Sequence, residues 1–188
     1  MILQGLLMLA RGNAKGIEEF SGTLEAFSAS LAPLIAFPLV GAFITAVGGD
    51  WRAGLVGLMS RLCAVLTLPV LTFEFSRLFG RRDAWLRTAT ALNWCFWLVL
   101  PLLFLAALLG SIIVQFGLPM NQVEIGIVGL IGLYLLWNRW FVFKSGLQIT
   151  GWRAFLMLAA SLVLTLLYAL VPWIAGLPLP SLENAPLP

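Results

Sequence analysis

Ala89–Val114 reads ATALNWCFWLVLPLLFLAALLGSIIV, and this stretch decides the fold class. No charged side chain falls between Arg87 and its end. A helix rising about 1.5 Å per residue needs ~20 apolar residues to cross a hydrocarbon core of roughly 30 Å. Four further stretches meet that requirement: Phe27–Val47, Gly54–Phe75, Val123–Phe143 and Ala154–Ala175. The chain has 188 residues, 61% hydrophobic and only 10% charged. A soluble domain of this size could not hide so much apolar surface. The expected fold is all-α: a polytopic membrane helix bundle of five transmembrane helices.

Little sequence lies outside these stretches, so a separate soluble catalytic domain has no room. Three segments are expected: an amphipathic interfacial segment (1–22), the transmembrane domain (23–176) and a proline-rich extracytoplasmic tail (177–188). In the N-terminal segment Gln4, Arg11, Lys15 and Glu18 share one helical stripe, with Leu3, Leu6, Leu9, Ile17 and Phe20 opposite. That pattern describes a helix lying on the membrane surface. It lacks the basic start and nearby small-residue cleavage site of a secretory signal. Ser21-Gly22-Thr23 then breaks it and can cap the first span.

The net charge of +3 and the pI near 9.3 do not point to nucleic acid, because the charges sit in short connections. Arg11 and Lys15 lie in the N-terminal arm, Arg77, Arg81, Arg82 and Arg87 in the second connection, and Arg139, Lys144 and Arg153 around the fourth. The first connection holds Arg52 alone, and the third connection and the tail hold none. The positive-inside rule places the N-terminus in the cytoplasm and the C-terminus outside. Trp85, Trp94, Trp97, Trp137, Trp140 and Trp152 are expected on the cytoplasmic side, where indoles anchor at headgroup level.

Histidine is absent, and with it the commonest haem and metal ligand. Cys63 and Cys95 fall inside apolar stretches and are expected as buried small hydrophobes. No Gly-x-Ser-x-Gly, His-Glu-x-x-His or phosphate-cradling glycine loop is present. Neither cofactor nor catalytic residue is expected.

Pro38, Pro69 and Pro101 interrupt the first three spans, and kinked, mutually packed helices are expected from them. Gly126, Gly129 and Gly132 form a small-residue seam on the fourth span, expected to pack within the chain.

An ionisable group at membrane depth is a functional candidate by default. Arg61 lies about seven residues, roughly 10 Å, into the second span. It can snorkel, pair with a carbonyl freed by a proline, or contact an anionic lipid, substrate or partner. Glu74 sits near the inner end of the same span, three residues before Arg77, a spacing that suits a local ion pair. Asn93 and Asn138 should share its depth, and the three could form one polar cluster that fixes packing or binds a ligand.

The layout resembles the YIP family of five-span membrane proteins. The stretch Tyr134-Leu135-Leu136-Trp137-Asn138-Arg139-Trp140 through Gly146-Leu147, then Trp152-Arg153-Ala154, is similar to its bacterial branch. Arg11-Gly12 through Phe27 and Leu31-Ala32-Pro33-Leu34-Ile35-Ala36-Phe37-Pro38-Leu39 look like small proteobacterial membrane proteins. The resemblance implies a five-span bundle with an outward C-terminus and brings no catalytic residues. Eukaryotic members are linked to membrane traffic and small GTPases, but their long cytoplasmic N-terminal region is not expected here, so GTPase binding is not carried over.

The function expected is non-enzymatic: a scaffold, assembly factor or accessory subunit working through contacts with membrane lipids, a larger membrane complex or its own copies. The alternative is a small-molecule or ion transporter acting as an oligomer, which should show a polar midplane site. An enzyme acting on lipids ranks third.

Overall fold

The computed structural model describes residues 2–116 and 119–174, without the side chains of Pro172 and Trp173. The proline-rich tail and the last residues expected in the fifth span lie outside them. Every regular element among the described residues is helical: α1 (Ile2–Ala10), α2 (Leu24–Val47), α3 (Trp51–Leu78), α4 (Trp85–Cys95), α5 (Val99–Gln115), α6 (Met120–Gly146) and α7 (Gly151–Ile174). A 3-10 turn, Phe96–Leu98, joins α4 to α5 and makes one long third span. Five helices are thus long and apolar enough to cross a membrane. This is a multi-pass membrane helix bundle.

The connections are short and locally capped. Thr23 Oγ1 accepts from the amide of Ala26 at 3.3 Å and starts α2. Asp50 Oδ1 accepts from the amide of Ala53 at 2.8 Å and starts α3. Each bond satisfies one of the amides that a helix start leaves without a partner.

α4 is the hub. Its neighbours are α2, α3, α6 and the N-terminal segment. Thr88, Ala89, Thr90, Ala91, Leu92, Asn93 and Cys95 are all buried on it. Thr88 and Thr90 return their hydroxyls to the carbonyls of Ala84 and Leu86, so these short polar side chains add no unsatisfied group. At this end Leu9, Phe20, Val142, Phe143, Leu147 and Met157 close a fully packed core. The side chains around this end include Lys15, Arg81, Arg87 and Lys144, so it is the basic end.

Towards the opposite end the packing thins. α2 pairs with α3 and α3 with α7, whereas α5 packs chiefly on α6 and buries only Gly110. No atom lies within 4 Å of a Cβ built at Gly126, Gly129 or Gly132. The expectation that this glycine seam packs within the chain is therefore corrected. The glycine face of α6 points outward, while Val123 and Ile127 on another face meet Gly110 of α5.

The N-terminal segment also differs from the expected single surface helix. α1 stops at Ala10, Gly12 adopts a left-handed φ of 76°, and a 3-10 turn follows over Ala14–Glu19. The two pieces fold onto each other where Gly5 faces Gly16. A Cβ at Gly16 would come within 2.7 Å of the Gly5 carbonyl oxygen, so no larger residue fits the crossing. Hydrophobic periodicity carries straight through this turn, which is why the stripe pattern misses it. The hairpin buries Leu9, Ile17 and Phe20 against the bundle.

Candidate functional site

The four candidate polar residues are not gathered at one place. Asn138 is buried, and its Nδ2 donates to the carbonyl of Leu9 at 3.3 Å. Tyr134 on the same helix donates its hydroxyl to the carbonyl of Ala10 at 2.7 Å. They engage the last two carbonyls of α1, while backbone amides of Arg11, Gly12 and Asn13 bond those of Leu7, Leu9 and Met8. Asn93 is buried too, but its Nδ2 donates to Ser30 Oγ at 2.9 Å and ties α4 to α2. Glu74 is exposed, with Arg77 Nη1 at 3.7 Å as the spacing anticipated. The expected cluster is thus replaced by two separate buried bonds and one surface ion pair. A pair so exposed contributes at most about 1 kcal/mol.

The cysteines divide similarly. Cys95 is buried, as expected, but Cys63 is exposed, in a concavity between α3 and α7.

Arg61 occupies the more unusual position. α3 runs 28 residues, about 42 Å, which exceeds the ~30 Å core. With the helix centred, Arg61 lies roughly 9 Å inside the hydrocarbon. Its guanidinium rests on α2 at Gly41, where a Cβ would stand only 3.0 Å from Nη1. No hydrogen bond or ion pair reaches Arg61 among the described residues. An arginine left this way near the middle of a spanning helix costs about 2.5–3.5 kcal/mol on an insertion scale.

Arg61 borders a groove of about 500 Å³ between α2, α3 and the start of α5. Leu34, Phe37 and Pro38 line it from α2, Ala64 and Val65 from α3, and Phe96, Trp97, Val99 and Leu100 from the third span. Trp97 is held between two rings, with centroids 5.4 Å from Phe37 and 6.0 Å from Phe96. Its Nε1–H is buried and has no acceptor. Native structures keep few such groups, because an unmade buried hydrogen bond costs about 1–3 kcal/mol.

Pro38, Pro69 and Pro101 converge on the same place, whereas Pro33 of α2 does not. Proline has no N–H, so Pro38, Pro69 and Pro101 withdraw the helical donor from the carbonyls of Leu34, Val65 and Trp97, each four residues earlier. All three of those residues line the groove. The 3-10 turn at Phe96–Leu98 lies immediately before Pro101, a local adjustment of the kind proline requires in a spanning helix. An apolar trough between three helices thus has a guanidinium at its border, Trp97 with its buried, unpartnered indole N–H in its wall, and three lining residues that each lie four before a proline. It can hold an apolar chain that bears a hydrogen-bond acceptor.

Sequence reasoning singled out Arg61 and the three prolines separately. Trp97 was expected at the membrane interface with the other tryptophans. It lies 12 residues beyond Trp85, about 18 Å further along the third span, and belongs to the groove. The missed signal was its spacing of four residues from Pro101. Among the described residues, no group of three His, Cys, Asp or Glu side chains is placed to hold a metal ion.

Comparison with protein-family models, curated proteins and solved structures finds no match. The groove is read on its own chemistry.

Proposed function

We propose that this chain is a non-enzymatic bacterial inner-membrane protein, acting as a scaffold, assembly factor or accessory subunit through the Arg61–Trp97 groove. The observation that carries the proposal is the pair of donors without partners bordering an apolar trough. A partner that supplies an acceptor there offsets the cost of both. The volume of about 500 Å³ falls within the range of roughly 300–1,000 Å³ usual for small-ligand sites. A whole helix is about 10–12 Å across with its side chains. Size therefore favours a single amphiphilic chain, such as a lipid with an acceptor along its length, over a complete partner helix. The basic residues in alternate connections support a cytoplasmic N-terminus and a periplasmic C-terminus. The resemblance to five-span YIP proteins supports the same non-enzymatic class.

The test is purification in mild detergent of the unaltered protein beside Arg61→Leu and Trp97→Phe, with lipids and proteins of each identified. The proposal expects one component to be depleted in both variants. An unchanged set of components contradicts it.

A transporter working as an oligomer is the second reading. It is favoured by the convergence of three proline-interrupted spans at mid-depth, as in transporter sites built from broken helices. Reconstituted vesicles separate the two readings: solute flux that Arg61→Leu abolishes supports transport, and its absence together with component loss supports the scaffold.

A further inference from the structure

The basic end holds a second concavity, independent of the groove. Three segments distant in sequence surround a polar cavity of about 430 Å³: the N-terminal hairpin, the α3–α4 connection and the α6–α7 turn. Lys15, Arg81 and Arg87 line it, with Glu18 and Asp83, leaving one more cation than carboxylate.

The frame around these charges is tightly set. The Gly5–Gly16 crossing fixes the hairpin that bears Lys15. The amide of Arg81 donates to the carbonyl of Ser76 at 2.7 Å, closing the turn after α3. α4, which bears Arg87, meets α6 so closely at Thr88 that a Cβ at Gly146 would stand 2.5 Å from Thr88 Oγ1.

Four cations at this end are engaged. Arg77 pairs with Glu74, Arg82 lies over Phe73, Lys144 over Trp140 and Arg153 over Phe79. Lys15, Arg81 and Arg87 make no side-chain hydrogen bond, ion pair or ring contact among the described residues. Arg11 and Arg139 also lack such contacts but lie outside the cavity, so what sets Lys15, Arg81 and Arg87 apart is their convergence on one hollow. A role in setting topology accounts for basic residues at this end, but not for the convergence of three connections on one hollow.

Gln148 adds a neutral polar group to the lining. It lines the cavity with a backbone φ of 52°, the only positive φ outside glycine among the described residues. That region is disfavoured for any residue with a Cβ. Gly12, Gly49 and Gly80 occupy it elsewhere in this chain. Gln148 takes this conformation as the residue after the α6 C-cap, where the amide of Ile149 donates to the carbonyl of Lys144 at 3.2 Å, and this places its amide side chain at the cavity.

We propose that this cavity binds a phosphate group. Two guanidiniums offer forked donors matched to phosphate oxygens, Lys15 adds a point charge, and the Gln148 amide adds a neutral donor. The phosphate belongs either to a phospholipid headgroup of the adjoining leaflet or to a soluble phosphorylated molecule.

The experiment measures thermal stability of the delipidated full-length protein in detergent. The probes are phosphatidylglycerol against diacylglycerol, which has no phosphate, and inorganic phosphate against chloride at equal ionic strength. At least one phosphate probe is expected to raise the melting temperature over its control. Arg87→Gln is expected to weaken that response about tenfold, since charge-assisted hydrogen bonds are of that strength. Arg77→Gln, outside the cavity, should retain it. Gln148→Gly keeps the fold while weakening the response, so a variant that fails to fold does not decide the matter. A response to phosphatidylglycerol alone assigns the site to a lipid headgroup, and one to inorganic phosphate assigns it to a soluble ligand. No response to either probe, or equal loss in Arg77→Gln and Arg87→Gln, overturns the proposal. Failure here leaves the groove untouched, because Arg61→Leu reads that site separately.

Discussion

Arg61 and Gly41 are in contact: the guanidinium of one lies where a side chain on the other would stand, 3.0 Å from Nη1. α2 accommodates the charge by having no Cβ at that point. The arginine gains a flat bed on the neighbouring helix but no acceptor.

This relation gives the first prediction. If Arg61 were half of a buried ion pair, its loss would cost about 3–5 kcal/mol. Without a partner, Arg61→Leu should leave the stability of the isolated protein unchanged or raised, by at most about 2.5–3.5 kcal/mol. Denaturant unfolding in detergent checks the sign. A large destabilisation would mean that a partner on the chain has been overlooked.

Glycines on α6 should respond oppositely to the same change. Gly146→Ala drives a methyl group into Thr88 and should cost about 1–3 kcal/mol. Gly129→Ala meets nothing within 4 Å and should be neutral or stabilising by up to about 0.5–1 kcal/mol. Pairing Gly146→Ala with Thr88→Ala removes two of the three clashing atoms, so the double variant should cost less than the sum. Strict additivity would show that the helices do not meet there.

Asn93 and Asn138 make separate bonds, to Ser30 and to Leu9. Asn93→Leu and Asn138→Leu should each cost about 1 kcal/mol, near the usual value for hydrogen bonds in membrane bundles. Their effects should add within about 0.3–0.5 kcal/mol. Coupling beyond that would restore the single shared network.

Topology is checked by reporter fusions. Alkaline phosphatase should be active after Pro178 and between Gly117 and Gln122, and silent near Arg82 and Ser145. Activity at Arg82 reverses the orientation.

Much of this architecture was legible in the chain. Length and hydropathy alone place the five spans, because the bilayer sets how much apolar sequence a crossing helix needs. The Thr23 cap and the Glu74–Arg77 pair follow from local spacing. What failed depends on how each helix is rotated. A span that is apolar all round carries almost no periodic signal, so depth could be read for Glu74, Asn93 and Asn138 but not facing. Depth put them at one level, and rotation sent Glu74 outward and the asparagines to different partners. Trp97 was misplaced because composition suggested an anchor, while its neighbours are Phe37 and Phe96 in the groove. The polar cavity was hidden differently. Lys15, Arg81 and Arg87 each look like ordinary topology signals, and only folding brings their connections together.

The most direct test of the central claim is site-specific photocrosslinking in native membranes. Phe37 lines the groove, and Leu166 on α7 is equally exposed but lies away from it. A photoreactive residue at 37 is expected to capture a component that one at 166 does not, and Arg61→Leu should abolish that adduct. Identical adducts at both positions, or an adduct at 37 that survives Arg61→Leu, would contradict the assignment of the groove as the site of action.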